Sequence, residues 1–393
     1  MKRTLLVFLL LGTVSLFADA VYEGGRSISG AFLESLGAPA LASALVGFGE
    51  FLGLLLRFAS GYAVWSLGSS LLLWGLVISG YSITAISIPA LAFAGSWQVA
   101  TALYIVDRVA KGLRAPARDV VIADVGRDVG TGKAFGLHEL LDQVGAMAGP
   151  AVLLAALPVM GAREALKMLF IPGAISIALA SLAAALYPHI KTLGPKRSMG
   201  FMAGFRSLGR QFQLYLASNA FLALGLLHWT IATYYMSLRG VIDVDAAAMY
   251  YMIAMAIDAL MAVPLGAAFD LWGYGVLPLL PIISVINAVT TFYGHGWQIL
   301  VAAITWGTLA CAEESLLRAA IATCVAPEVR PLAYGMFGLV FGLSWSVGGY
   351  VYITIISFFG FQYATLFSAA TNVAAFFLFL LTSRSAGHVS RKA

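Results

Sequence analysis

Apolar stretches of about 20 residues, each long enough to cross a bilayer as a helix, follow one another along almost the whole chain with short polar connections between them. The 393 residues are 61% hydrophobic and 10% charged, with a mean hydropathy of +0.91. That leaves too little polar surface to cover a globule in water. The pattern predicts an all-α membrane protein and excludes a disordered chain, a collagenous chain and a secreted disulfide scaffold. Twelve spans with tight connections use roughly 240 to 300 positions, which leaves no room for a separate catalytic domain. Cys311 and Cys324 are expected about 20 Å apart along one helix, far beyond disulfide reach, and read as packing residues.

The expected spans cover residues 4–35, 39–64, 70–94, 97–117, 134–157, 166–187, 213–238, 247–268, 275–293, 297–325, 331–357 and 360–383. Lys2, Arg3, the run Leu5 to Phe17 and the triplet Ala18-Asp19-Ala20 imitate a cleavable signal peptide. Its removal would leave an odd number of spans and break the repeat described below, so it is read as the first span. With this layout Lys2, Arg3, the cluster from Lys111 to Lys133, the group Lys191 to Arg210, Arg330, Arg384, Arg391 and Lys392 fall on the side of the termini. Arg163, Lys167 and Arg239 fall opposite. The bias predicts that both termini are cytoplasmic. It also accounts for the net charge of +5 without a nucleic-acid partner.

Residues 188–212, with five basic residues around Gly194-Pro195, read as a cytoplasmic linker between two six-helix bundles, 1–187 and 213–393. The two sets resemble each other. Trp97-Gln98 recurs as Trp297-Gln298, Arg118 as Arg318, Ala134-Phe135-Gly136 as Ala333-Tyr334-Gly335, and Gly149 as Gly348. Gly61 and Gly68 recur as Gly266 and Gly273. Two homologous bundles imply a site near the bilayer midplane where the repeats meet.

Three strings carry a family resemblance. Gly266, Asp270 and Gly273 form a GxxxDxxG loop after span 8, Arg108-Val-Ala-Lys111-Gly112 forms an RxxxG pattern in span 4, and Gly145-Ala-Met-Ala-Gly149-Pro150 forms a GxxxGP string in span 5. In order and on these spans they resemble the major facilitator superfamily of secondary transporters. The resemblance implies two pseudo-symmetric bundles and alternating access, and the GxxxGP string is associated there with antiporters. In the first-half copy of the loop, Gly61 to Gly68, Trp65 stands where the family has its acidic residue. Asp270 is thus left as the candidate conformational lock, accepting from free donors at a helix N-terminus.

Ten ionisable residues fall inside expected spans away from their ends: Asp19, Glu23, Arg26, Glu50, Arg57, Asp107, Arg108, Asp142, Asp258 and Glu313. Exposing all ten to lipid would cost about 25 to 35 kcal/mol, so they are expected to face a wet cavity or one another. Asp19, Tyr22, Glu23 and Arg26 are spaced by three and four and share one helix face. Glu50 and Arg57 lie two turns apart in span 2. Glu23, Asp19, Asp142 and Glu50 are the proton-coupling candidates, because a carboxylate that loses its cationic partner takes up a proton. Tyr22, Arg26, Arg57, Asp107, Arg108, His138, His228, Trp229 and Trp345 are the substrate-binding candidates. The alternative is that Glu23 with Arg26, and Asp107 with a neighbouring arginine, are fixed structural pairs. Glu314 and Arg318, four apart, are expected to pair within one helix, and Trp229 and Trp345 are equally readable as packing or lipid-facing residues.

His138, Glu139 and Asp142 spell HExxD, which lacks the second histidine of a zinc protease. His138 and Asp142 can bind substrate, relay a proton or serve structure. No nucleotide-binding GxxxxGK[ST] string, haem motif or zinc-site spacing occurs, so no enzyme activity, cofactor or metal is expected. The expectation is a monomeric proton-coupled antiporter in a prokaryotic cell membrane, exporting a small amphiphilic or ionic solute. The prokaryotic reading rests on three Asn, six Gln and an excess of Arg over Lys. A transporter of a small anion or metal ion, a lipid flippase and a non-transporting receptor stay open as alternatives.

Overall fold

The computed structural model describes residues 2–67, 69–125, 131–190, 209–325 and 330–390. Among them every regular element is helical: α1 Lys2–Ser27, α2 Ser29–Ser35, α3 Ala40–Leu67, α4 Ser70–Ser87, α5 Trp97–Val125, α6 Thr131–Met168, α7 Phe170–Leu186, α8 Arg210–Gly225, α9 Trp229–Leu238, α10 Val244–Trp272, α11 Leu279–Tyr293, α12 Trp297–Cys311, α13 Leu317–Cys324, α14 Arg330–Phe359 and α15 Phe361–Ser390. Nine helical stretches among the described residues are long and apolar enough to cross a membrane. One of them, Leu140–Leu186, has 47 residues, about 70 Å of helix and twice a bilayer core. It is interrupted at Gly161, whose φ of 76° and ψ of 167° only glycine adopts without strain.

Several spans are less regular than their periodicity predicts. Expected span 7 is two helices, α8 and α9, separated by Leu226–His228. The His228 ring accepts from the Thr230 backbone N–H at 3.2 Å and so caps α9. The Gly225 carbonyl, freed by the break, accepts from Tyr352 Oη at 2.7 Å, Ser368 Oγ at 3.2 Å and Ser284 Oγ at 3.3 Å. Expected span 10 contains a π-helical turn, Ala312–Leu316, between α12 and α13. That turn corrects one expectation. The wider winding brings residues five apart together, and Arg318 pairs with Glu313 at 3.8 Å in place of Glu314.

The chain forms two compact units. One contains Met1–Arg197 and Ile242–Met252, the other Ser198–Val241 and Ile253–Ala393. Most of the expected linker, 191–208, lies outside the described residues, as do Gly68 and the segment 126–130.

In the first unit α6 lies on α1 so closely that a methyl group on Gly145 would strike the Leu16 carbonyl, and one on Gly149 the Ala20 carbonyl. Likewise a methyl on Gly112 of α5 would strike Gly53 of α3. The second unit repeats both contacts. Gly348 of α14 lies on the Leu224 carbonyl of α8, and Gly307 of α12 on the Ala254 carbonyl of α10. Small residues at these crossings let backbones approach where no hydrophobic effect drives helices together. Pro150 sits inside α6 beside this contact, where it removes one helical hydrogen bond.

Candidate functional site

The polar face of α1 predicted from spacing is present, and its residues find partners on three other helices of the first unit. Glu23 is buried, with Arg26 Nη1 at 3.6 Å from its Oε2. The same oxygen accepts a hydrogen bond from the Tyr251 hydroxyl on the first turns of α10. Arg26 Nη2 lies 3.9 Å from Glu50 Oε1 on α3. That oxygen accepts from Arg108 Nη1 on α5 at 2.9 Å, and Arg108 Nη2 stands 3.4 Å from Asp107 Oδ2. The result is an alternating chain: Tyr251, Glu23, Arg26, Glu50, Arg108, Asp107. Three carboxylates and two guanidiniums buried side by side cost far less than the same charges buried singly.

Two tyrosines complete this centre. The Arg108 guanidinium lies 3.7 Å and the Lys111 ammonium 3.9 Å from the centroid of the Tyr22 ring, and Arg26 lies 6.0 Å from that of Tyr251. Such contacts stabilise a cation taken out of water by about 0.5 to 2 kcal/mol. Access is graded along the chain. The Asp107 and Arg108 side chains are 0% and 1% exposed, Arg26 14% and Glu50 19%, so a solute would meet Glu50 and Arg26 first. Arg57 is half-buried two turns along α3 from Glu50.

A second grouping forms further along α1. Ser15 Oγ lies 3.1 Å from Tyr81 Oη, 3.4 Å from His138 Nε2 and 3.4 Å from Arg118 Nη1. Asp142 stands between His138 Nδ1 at 3.4 Å and Arg118 Nη1 at 3.6 Å. Arg118 also binds the neighbouring Asp119 carboxylate at 2.9 Å. Asp19, half-buried, sits on α1 one turn from Ser15 and one turn from Glu23.

The remaining candidates lie in the second unit. His228 and Trp345 rings stand 4.8 Å apart, and Trp229 is buried edge-on to Trp306 at 5.1 Å. A methyl group on Gly266 would meet no described atom within 4 Å, Asp270 is exposed in the last turn of α10, and Gly273 takes a φ of +52° at the start of a short 3-10 turn. The Trp65 side chain lies outside the described residues.

Sequence reasoning missed Tyr251, Ser15, and Arg114, which donates to Thr84 at 2.9 Å. The repeat holds a signal for the first. Gly53 and Ala254 occupy matching crossings, and the same offset of 201 carries Glu50 onto Tyr251 and Arg57 onto Asp258.

No known family model matches the chain. The uncharacterized protein Mb2288 of Mycobacterium bovis and the uncharacterized protein Rv2265 of Mycobacterium tuberculosis are each 35% identical over 344 residues, 86% of this chain and 83% of the relative. Among solved structures, the nucleoside transporter NupG superposes with a TM-score of 0.75 at 15% identity over 96% of this chain and 98% of its own. The POT family transporter PepTSo gives 0.75 at 13% identity over 97% and 98%. A bacterial homolog of the lysosomal transporter Spinster gives 0.65 at 16% identity over 99% and 97%. The chain belongs to one family with the two mycobacterial proteins, and its fold is that of the major facilitator superfamily transporters.

Proposed function

We propose that the protein is a secondary active transporter with twelve spans and cytoplasmic termini, working by alternating access and exchanging protons for a small amphiphilic or ionic solute. The single observation that carries this reading is the alternating charge chain from Glu23 to Asp107. A structural ion pair needs two partners, whereas here Arg26 is shared by Glu23 and Glu50, and Glu50 by Arg26 and Arg108. A shared cation can change allegiance at small cost. When Arg26 is drawn to Glu50, Glu23 is left with the Tyr251 hydroxyl and the charge of Lys111 and takes up a proton. When Arg26 returns, the proton leaves. A cationic solute group that occupies Glu50 sends Arg26 back to Glu23 and so expels the proton, and this opposition of solute and proton through one guanidinium is the thermodynamic requirement for exchange.

The neighbours by fold are nucleoside and peptide transporters, which supports a polar organic solute over a lipid. The GxxxGP string, with Gly145 and Gly149 seated on the carbonyls of α1, supports antiport through the family resemblance. The test is transport in proteoliposomes under imposed pH gradients, across a panel of cations, anions and lipophilic solutes. Uphill flux driven by the gradient is expected, and Glu23→Gln is expected to abolish it while preserving solute exchange. Full uphill flux in that variant removes Glu23 from the coupling. Solute binding without flux under any gradient favours a receptor.

A further inference from the structure

We infer that Ser15, His138 and Asp142 form a second proton-binding station, linked through Asp19 to the Glu23 centre; this rests on the transporter reading above and extends it. His138 is 3% exposed, with one ring nitrogen 3.4 Å from Ser15 Oγ and the other 3.4 Å from Asp142 Oδ1. A neutral imidazole holds one proton and one lone pair, so it can accept at Nδ1 from Asp142 while releasing the proton on Nε2 to Ser15. The hydroxyl passes on its own proton as it receives that one. One proton enters and one leaves, and neither the ring nor the hydroxyl ends with a changed charge.

The charges around the ring favour uptake of a proton. Among the described side chains, the groups facing it are Ser15 from α1, Tyr81 from α4, Arg118 with its partner Asp119 from α5, and Asp142 from α6. With His138 neutral these sum to one negative charge, and Asp19, whose charge also acts on Arg118, adds another. Asp119 is 46% exposed, so the station has an open side, whereas the ring itself is sealed.

The path to Glu23 follows α1. Ser15 and Glu23 are two turns apart, about 12 Å, too far for one transfer. Asp19 halves the distance. Its charge acts on Arg118 of the second station and on Glu23 and Arg108 of the first. Each remaining gap is about one helical turn, which one water can bridge.

The test is a pH titration of the full chain in lipid nanodiscs, following the carboxyl stretching bands by infrared difference spectroscopy. No solute is needed. Asp142→Asn is expected to remove one titrating band and Glu23→Gln a different one. Introduced alone, Glu23→Gln is expected to shift the Asp142 midpoint, and on an Asp19→Asn or His138→Gln background that shift is expected to vanish. Native titration in both Asp142→Asn and His138→Gln overturns the proposal. If either variant fails to give monodisperse protein, Ser15→Ala decides. It leaves every ionisable group in place, so a Glu23-dependent shift that survives in it also overturns the path. Absence of solute flux would sink the transporter reading and leave these bands untouched, so the two failures are distinguishable.

Discussion

Arg108 donates to Glu50 across 2.9 Å, and the two partners differ in access: the guanidinium is 1% exposed and the carboxylate 19%. The arginine is therefore the member that cannot survive alone. Glu50→Ala leaves Arg108 with Asp107 at 3.4 Å and should cost about 3 kcal/mol, the lower end for breaking a buried pair. Thermal unfolding in detergent, with Glu50→Gln as the milder control, measures it. An unchanged midpoint in the alanine variant would show that Arg108 is not anchored by Glu50.

Glycines of one sequence motif class differ in what surrounds them, and substitution should separate them. Gly149→Ala drives a methyl into the Ala20 carbonyl, and the overpacking should cost about 1 to 3 kcal/mol. Gly266→Ala meets nothing within 4 Å among the described residues and should be neutral or stabilising by up to about 1 kcal/mol, as alanine favours a helix. Paired melting curves of the two variants check the contrast.

His228 caps α9 with its ring. His228→Ala should destabilise by about 1 kcal/mol, the usual loss for an N-cap acceptor, and His228→Asn should restore most of it. Equal melting points for the alanine and asparagine variants would show that the ring acts through Trp345 instead.

Asp270, exposed at the end of α10, is the acidic residue of the GxxxDxxG loop. Asp270→Ala should change the balance of inward-open and outward-open forms, read from spin-label distances across the membrane. Native distance distributions in that variant would remove Asp270 as a lock.

The polar face of α1 is readable from spacing alone, because three- and four-residue intervals fix which side chains share a helix face. The partners across helices are not. Whether Glu50 meets Arg57 on its own helix or Arg108 on another depends on how near α3 comes to α5, and that is set by Gly53 against Gly112. Glycine spacing shows that a crossing exists, not which helix supplies the other side. The shift from Glu314 to Glu313 as the partner of Arg318 has a similar origin, since a π turn leaves no mark in hydropathy. The break after Gly225 is also hidden, because residues on both sides are apolar and no proline stands there. Only the folded chain brings Tyr352, Ser368 and Ser284 to its carbonyl.

Three hydroxyls contend for that one oxygen, which has two lone pairs. The elbow in this membrane segment consequently carries a spare: removing any single hydroxyl leaves both lone pairs served. Such redundancy makes the bend a permanent fixture of the fold, insensitive to the loss of any one of these hydroxyls and independent of solvent, around which neighbouring segments can be repositioned without straightening it.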